Sequence, residues 1–213
     1  MIHIPTSTIR HCVCCLILWL GLAASAAGTT LASMSIDQVT SDAELIFEGE
    51  VLVRETRRDT NNDLIYTYVT FAVHDVIKGA FGGSELELRF TGGRIDGEIV
   101  EISGLTVPGE AERGIYFVES ISRNLLNPLL GWSQGHYLIQ EEDGERRVST
   151  LEQEVITAVQ PVADVPSAIR RARRLIDGQT DSADGIVSIP AASSADEALT
   201  VEQFKDAIRA LLP

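Results

Sequence analysis

The sequence predicts a mainly β fold, a small antiparallel barrel or sandwich followed by C-terminal helices, and three observations predict it. Five to seven short stretches between residues 44 and 150 alternate apolar with polar side chains, the period of a strand with one buried face. Glycine-rich turns separate them with no helical pattern in between, which favours an antiparallel arrangement over a parallel α/β one. After Thr150 the apolar spacing changes to that of helices.

The chain opens with a segment that reads as a cleavable export signal. A cationic start (the α-amino group, His3, Arg10 and His11) precedes an apolar run from Cys12 to Ala24, and Ala24-Ser25-Ala26 supplies an A-x-A cleavage pattern. Residues 1–26 are therefore expected to be removed, leaving a periplasmic or secreted protein. The apolar run is roughly a dozen residues, short of the ~20 that cross a bilayer, so no stable membrane span is expected after cleavage. Cys12, Cys14 and Cys15 all lie inside the signal, and the mature chain has no cysteine for thiol catalysis, disulfides or zinc.

Residues 27–150 are expected to form the β domain. Ser35-Ile36-Asp37-Gln38 has capping-box spacing, which predicts a short helix from Ile36 to Ser41. From Glu44 to Glu55 the chain alternates, with Leu45, Phe47, Gly49, Val51 and Val53 on one face. Leu64 to Ile77 returns with Ile65, Val69, Phe71, Val73 and Ile77 inward, and the polar stretch Arg57 to Asp63 joins the two as a long antiparallel hairpin. Glu85 to Thr91 alternates cleanly, Leu86, Leu88 and Phe90 in and Glu85, Glu87 and Arg89 out. A short run around Ile99 to Ile102, then Gly114 to Ile121, Trp132 to Glu141 and Arg146 to Thr150, complete the strands. This count and spacing suit a five-stranded barrel of oligonucleotide/oligosaccharide-binding (OB) shape.

Leu151 to Val159 and Val165 to Ile176 have helical spacing, broken by Pro161 and Pro166, so residues 151–177 are expected to be helices packed on the barrel. Residues 178–199, rich in Ala, Ser and Asp, read as a flexible linker. Thr200-Val201-Glu202-Gln203 repeats the capping-box spacing, and Val201, Phe204, Ala207, Ile208 and Leu211 share one face. A terminal amphipathic helix is expected over residues 200–213.

The chain carries 31 acidic and 17 basic side chains, a net charge of −14. That balance argues against nucleic acid as a partner, which requires a basic stripe, and suits solubility outside the cell. Arg170, Arg171, Arg173 and Arg174 form the one basic cluster and are expected on the solvated face of a helix.

Gly131-Trp132-Ser133-Gln134-Gly135 fits the G-x-S-x-G pattern of a serine-hydrolase elbow. That chemistry needs the serine between a buried strand and a helix, with an acid and a histidine later in the chain. His136 to Gln140 instead reads as strand and no histidine follows His136, so the glycines are expected to bend the chain into a strand, with Trp132 on the core. Asp59, Asn61 and Asp63 open like a calcium loop, but Leu64 and Thr70 stand where its glycine and bidentate glutamate belong, so a polar hairpin loop is expected. His74 and His136 read as lone strand residues. No residue set calls for a cofactor or a metal. Gly92-Gly93 and Gly97, with Arg94 and Asp96 between, match no phosphate loop. The stretch is longer and more permissive than a tight hairpin requires, which makes it a candidate recognition loop; the plainer alternative is a wide turn with Arg94 and Asp96 paired or solvated.

With these residues laid out, Leu45 to Val148 resembles a family of uncharacterised exported bacterial β-barrel proteins. The carrying features are Asp42-Ala43, Ile46-Phe47-Glu48-Gly49-Glu50-Val51, Tyr66-Thr67-Tyr68-Val69-Thr70-Phe71, Val76-Ile77-Lys78-Gly79, Gly92-Gly93-Arg94 and Gly131 to Gly135. The strand plan is more distantly similar to netrin-like modules, the class that includes metalloprotease inhibitors, although the mature chain lacks the N-terminal cysteine those inhibitors place on the metal. The resemblance implies an exported, non-enzymatic β domain.

The expectation is an exported binding module, with an extracytoplasmic protein as the expected kind of partner. Its binding face would be built from Gly92, Gly93, Arg94, Asp96, Trp132, Gln134 and His136, since recognition commonly lives on loops over a rigid scaffold. The alternatives are an extracytoplasmic serine hydrolase using Ser133 with His74 or His136 as base, and a protease inhibitor acting through an exposed loop or the mature N-terminus.

Overall fold

A computed structural model describes residues 30–142, 144–162, 173–174, 182–191 and 197–212; the expected signal lies outside them. In chain order the first strands are β1 (Thr30–Leu31), β2 (Leu45–Arg58), β3 (Ile65–Lys78), β4 (Glu85–Thr91), β5 (Gly93–Ile95) and β6 (Glu98–Val100). They are followed by β7 (Arg113–Val118), β8 (His136–Glu142), β9 (Glu145–Ser149), β10 (Val155–Val159), β11 (Arg173–Arg174) and β12 (Ile186–Ile189). Helix α1 is Ile36–Asp42 and α2 is Val201–Ala210.

Eight strands form one antiparallel sheet in the order β12-β10-β9-β8-β7-β2-β3-β4, while β5 pairs with β6 and β1 with β11. Successive strand side chains point to opposite faces, and the central strands bury both. On one face Ile46, Ile115, Phe117, Tyr137 and Ile139 pack against Ile36 and Val39 of α1 and Val201, Phe204 and Ile208 of α2. On the other, Leu45, Phe47, Val69, Phe71, Leu88, Phe90, Tyr116 and Val118 form a second cluster, in which Phe47, Phe71 and Tyr116 meet ring to ring. Both helices start at the capping boxes the sequence predicts. Ser35 Oγ accepts the Gln38 N–H as Gln38 Oε1 accepts the Ser35 N–H, and Thr200 and Gln203 do the same.

The fold is mainly β and sandwich-like or barrel-like, as the sequence predicts, but it is not the closed five-stranded barrel of OB shape. Among the described residues no strand joins β4 to β12, the two edges of the sheet, so it is not closed. The segment after β7 reaches across instead, with Thr91 donating its N–H to Leu126 O at 2.9 Å.

Three further expectations are corrected. The helix expected over Leu151 to Val159 is a turn followed by strand β10: Thr150 N–H bonds Glu154 O, and Val155 pairs with Ser149 of β9. Four of the five β10 residues are β-branched, a composition that resists helix and packs well on a pleated surface. The linker expected over residues 178–199 contains β12, which pairs along β10 and sets Ile186 against the first core cluster. Its short Ile-Val-Ser-Ile run lies among Ala, Ser and Asp that hide it. Of the helix expected over Val165 to Ile176, only Arg173 and Arg174 are described, and they are strand β11 rather than a helix face. The rest of that segment and Arg170 and Arg171 lie outside the described residues.

Candidate functional site

Strand β7 pairs with β2 only from Leu45 to Glu50, so the β2–β3 hairpin runs on beyond the sheet centre, and with β4 paired along β3 it forms a three-stranded arm. A second, smaller hairpin, β5–β6, lies against this arm. Its turn is Asp96-Gly97, with φ of 50° and 82°. Two successive positive φ values are the signature of the two-residue turn whose twist matches flanking strands, and Asp-Gly is among its preferred sequences. The stretch Gly92 to Gly97 is therefore a tight hairpin, not the open loop its glycine content suggested.

Several contacts fix this ribbon. Gly92 donates its N–H to Ile65 O and accepts from Thr67 Oγ1, both at 2.8 Å, and Arg58 Nη2 reaches Glu98 Oε2 at 2.6 Å. Gly93 sits where a side chain has no room. Its φ is 143°, and a Cβ would lie 2.5 Å from Thr67 Oγ1 and 2.7 Å from Thr56 Cγ2. The glycine lets the ribbon backbone touch the arm directly.

Between the ribbon, the segment 101–107 and the arm is an open trough of about 650 Å³. Gly92, Gly93 and Arg94 line it, as do Arg54 from β2, Glu101, and an apolar strip of Ile99, Val100, Ile102, Leu105 and Val107. Leu105 and Val107 also pack against the second core cluster, so that wall of the trough is anchored. Arg54, Arg94 and Glu101 are solvent-exposed, and Ile99 is 49 % exposed.

The seven candidate residues do not form one face. Gly92, Gly93 and Arg94 share the trough, with Asp96 at the ribbon's tip; Trp132, Gln134 and His136 do not line it. Gln134 is buried, and its side-chain amide accepts the Met34 N–H at 2.7 Å and donates to Ala32 O at 3.1 Å. It pins the segment leading into α1. His136 is 1 % exposed, with Nε2 2.6 Å from Glu112 Oε1 and its ring against Tyr116. Burial raises the Glu112 carboxyl, but bonds from His136, the Gly109 N–H and the Tyr116 hydroxyl outweigh it and hold the group below its ordinary range. Burial, with Glu112 alongside, raises the Tyr116 hydroxyl.

Ser133 is 5 % exposed on a single 3₁₀ turn, Trp132–Gly135, which is preceded by left-handed Gly131 and followed by β8. The strand expected from Trp132 thus begins at His136, and the strand-into-helix elbow that would lift the serine hydroxyl to solvent is not formed. Asp59 Oδ1 and Asn62 Oδ1 accept the backbone N–H groups of Asn61 and Leu64, so these side chains close their own hairpin loop. Among the described residues no three His, Asp or Glu side chains converge as metal ligands.

A second cavity, of about 400 Å³, is bordered by Glu48, Glu50, His74, Asp75, Arg113, Arg146 and Lys205. Its charges satisfy one another. Lys205 Nζ lies 2.8 Å from Glu48, 3.0 Å from Asp75 and 2.8 Å from Glu202, Arg146 also bonds Glu48, and Arg113 bonds Glu50. Burial raises Glu48 and Asp75 and lowers Lys205, yet the bonds among them win: both carboxyls are held below their usual range and the ammonium above its own. This network fastens α2 to the sheet. Arg54, the strip from Ile99 to Val107 and the buried Lys205 are the residues sequence reasoning did not single out.

Compared with known proteins, the chain matches no family model, no curated protein and no solved structure. The trough and its chemistry therefore carry the functional argument.

Proposed function

We propose that this chain is an exported binding module whose ligand-holding surface is the trough beneath the β5–β6 ribbon. One observation carries the reading: a concave surface of about 650 Å³, in the size range of small-molecule and peptide sites, is framed by a ribbon bonded at several points to a rigid hairpin. Export rests on the signal pattern of residues 1–26. The buried Gln134 and His136 belong to the scaffold, and the binding residues are Gly92, Gly93 and Arg94 together with Arg54 and Ile99.

Affinity capture with the mature chain from its own extracytoplasmic fraction tests the reading. The wild-type and Trp132→Ala proteins should retain the same component, and the Arg94→Ala/Ile99→Asp protein should lose it while keeping its circular-dichroism spectrum. Equal retention by the trough variant would place the binding surface elsewhere.

A further inference from the structure

We propose that the trough takes an amphiphilic anion, a carboxylate or phosphate head on a hydrocarbon body, with Arg54 and Arg94 holding the head and the strip from Ile99 to Val107 holding the body. The inference rests on the trough being the binding surface and names what that surface selects.

The cations among the described side chains are almost all spoken for. Among the described side chains, Arg57, Arg58, Arg113, Arg123, Arg146, Arg147 and Arg209 each pair with a carboxylate. Arg89 lies over the Tyr66 ring, Lys78 donates to the Thr40 and Ser41 carbonyls, and Lys205 is held by three carboxylates. Arg54 and Arg94 are the two that have no partner among the described residues, and both line the same trough. With acidic side chains in such excess, two unpaired guanidinium groups on one concave surface leave donor forks matched to a carboxylate or phosphate.

The rest of the lining fixes the body of the ligand. Ile99 is 49 % exposed beside Val100, Ile102, Leu105 and Val107, so the wall next to the arginines is hydrocarbon. A purely inorganic anion would leave that wall wet, and a neutral hydrocarbon would leave the guanidinium groups unused. Glu101 is the one carboxylate on the lining, and it opposes the head. The negative charge of the whole molecule gives an anion no long-range attraction, so recognition depends on short contacts inside the trough.

The test is a ¹H–¹⁵N NMR titration of the mature chain at constant ionic strength with decanoate, decyl phosphate, decyltrimethylammonium, decyl maltoside and inorganic phosphate, each amphiphile below its micelle concentration. Saturable shifts confined to Arg54 and residues 91–107 are expected for the two amphiphilic anions, with inorganic phosphate and the cationic amphiphile weaker. Arg54→Gln and Arg94→Gln should each weaken anion binding about threefold to tenfold, and the double variant more than tenfold. Glu101→Gln should tighten it, a gain that a purely structural role would not produce. Flotation with phosphatidylglycerol and phosphatidylcholine vesicles separates the two sources of such a ligand. Arginine-dependent binding to the anionic vesicles identifies a lipid head group, and binding to the dispersed anions alone identifies a free amphiphile. If decyl maltoside binds the same residues as tightly and the arginine variants change nothing, the anion assignment is overturned and the trough stands as a binding surface. If no amphiphile shifts Arg54 or residues 91–107, the assignment is likewise overturned, and the capture experiment with Arg94→Ala/Ile99→Asp decides separately whether the trough binds anything.

Discussion

Replacing Lys205 with Met tests how α2 is held to the sheet. Lys205 is 4 % exposed and its ammonium donates to Glu48, itself 4 % exposed, at 2.8 Å, and to Asp75 at 3.0 Å. The substitution keeps the volume of the stem and removes the charge, leaving the Glu48 carboxylate buried. Breaking a buried pair costs about 3–5 kcal/mol when the surviving charge has no other partner. Here Arg146 still bonds Glu48, and Asp75 and Glu202 reach solvent, so the lower end, about 3 kcal/mol, is expected. For a chain of this size that is a fall in Tm of roughly 6–12 °C. Urea unfolding followed by circular dichroism measures it, provided the m-value is unchanged. Glu48→Leu/Lys205→Met removes both charges, and the 41 % exposed Arg146 can turn to water, so the double variant should return to within about 1 kcal/mol of wild type. A Lys205→Met protein within about 0.5 kcal/mol of wild type, or a double variant no more stable than the single one, would refute the claim that this pair is buried and coupled.

Gly93→Ala should cost roughly 2–4 kcal/mol by combining a positive φ with a Cβ driven into Thr67 and Thr56, and hydrogen exchange should show the ribbon loosening first. Glu48, Asp75 and Glu112 all have carboxyls held below their ordinary range, so their stabilisation is present above about pH 4 and lost as the pH falls through their folded values. Thermal melts from pH 6 to pH 3 should show that loss, and Glu48→Leu/Lys205→Met should show less of it than wild type. A fluorophosphonate should not label the buried Ser133; labelling abolished by Ser133→Ala would restore the hydrolase alternative.

The elements legible in the sequence are those whose signal is local. The capping boxes at Ser35 and Thr200 and the alternation of β2, β3 and β4 need no distant partner to be recognised. Strands β10 and β12 are four or five residues long and become strands by adding to an edge that only the folded sheet supplies. At β10 the β-branched run was the available cue and helical spacing concealed it. The Asp96-Gly97 turn was also legible, since Asp-Gly between short apolar runs signals a hairpin, but the extra glycines at 92 and 93 drew the reading toward an open loop. Those two glycines serve the approach to the arm.

The site was half legible for the same reason. Gly92, Gly93 and Arg94 stand together in sequence, whereas Arg54 reaches them from a strand nearly forty residues earlier, where alternation alone does not set it apart from its neighbours. Trp132 and Gln134 lie within, and His136 directly after, a glycine-bounded motif that forms a 3₁₀ turn away from the trough. Lys205 was hidden by its partners, which lie 157 and 130 residues away at Glu48 and Asp75.

Photo-crosslinking in the cells that make the protein tests the trough most directly, with a benzophenone amino acid placed at Ile99 in the trough or at Leu126, which is 58 % exposed outside it. A discrete adduct from position 99, lost when Arg54 and Arg94 are both changed to Gln and absent from position 126, is the predicted result. Equal labelling at the two positions, or an adduct at 99 indifferent to both arginines, would contradict it.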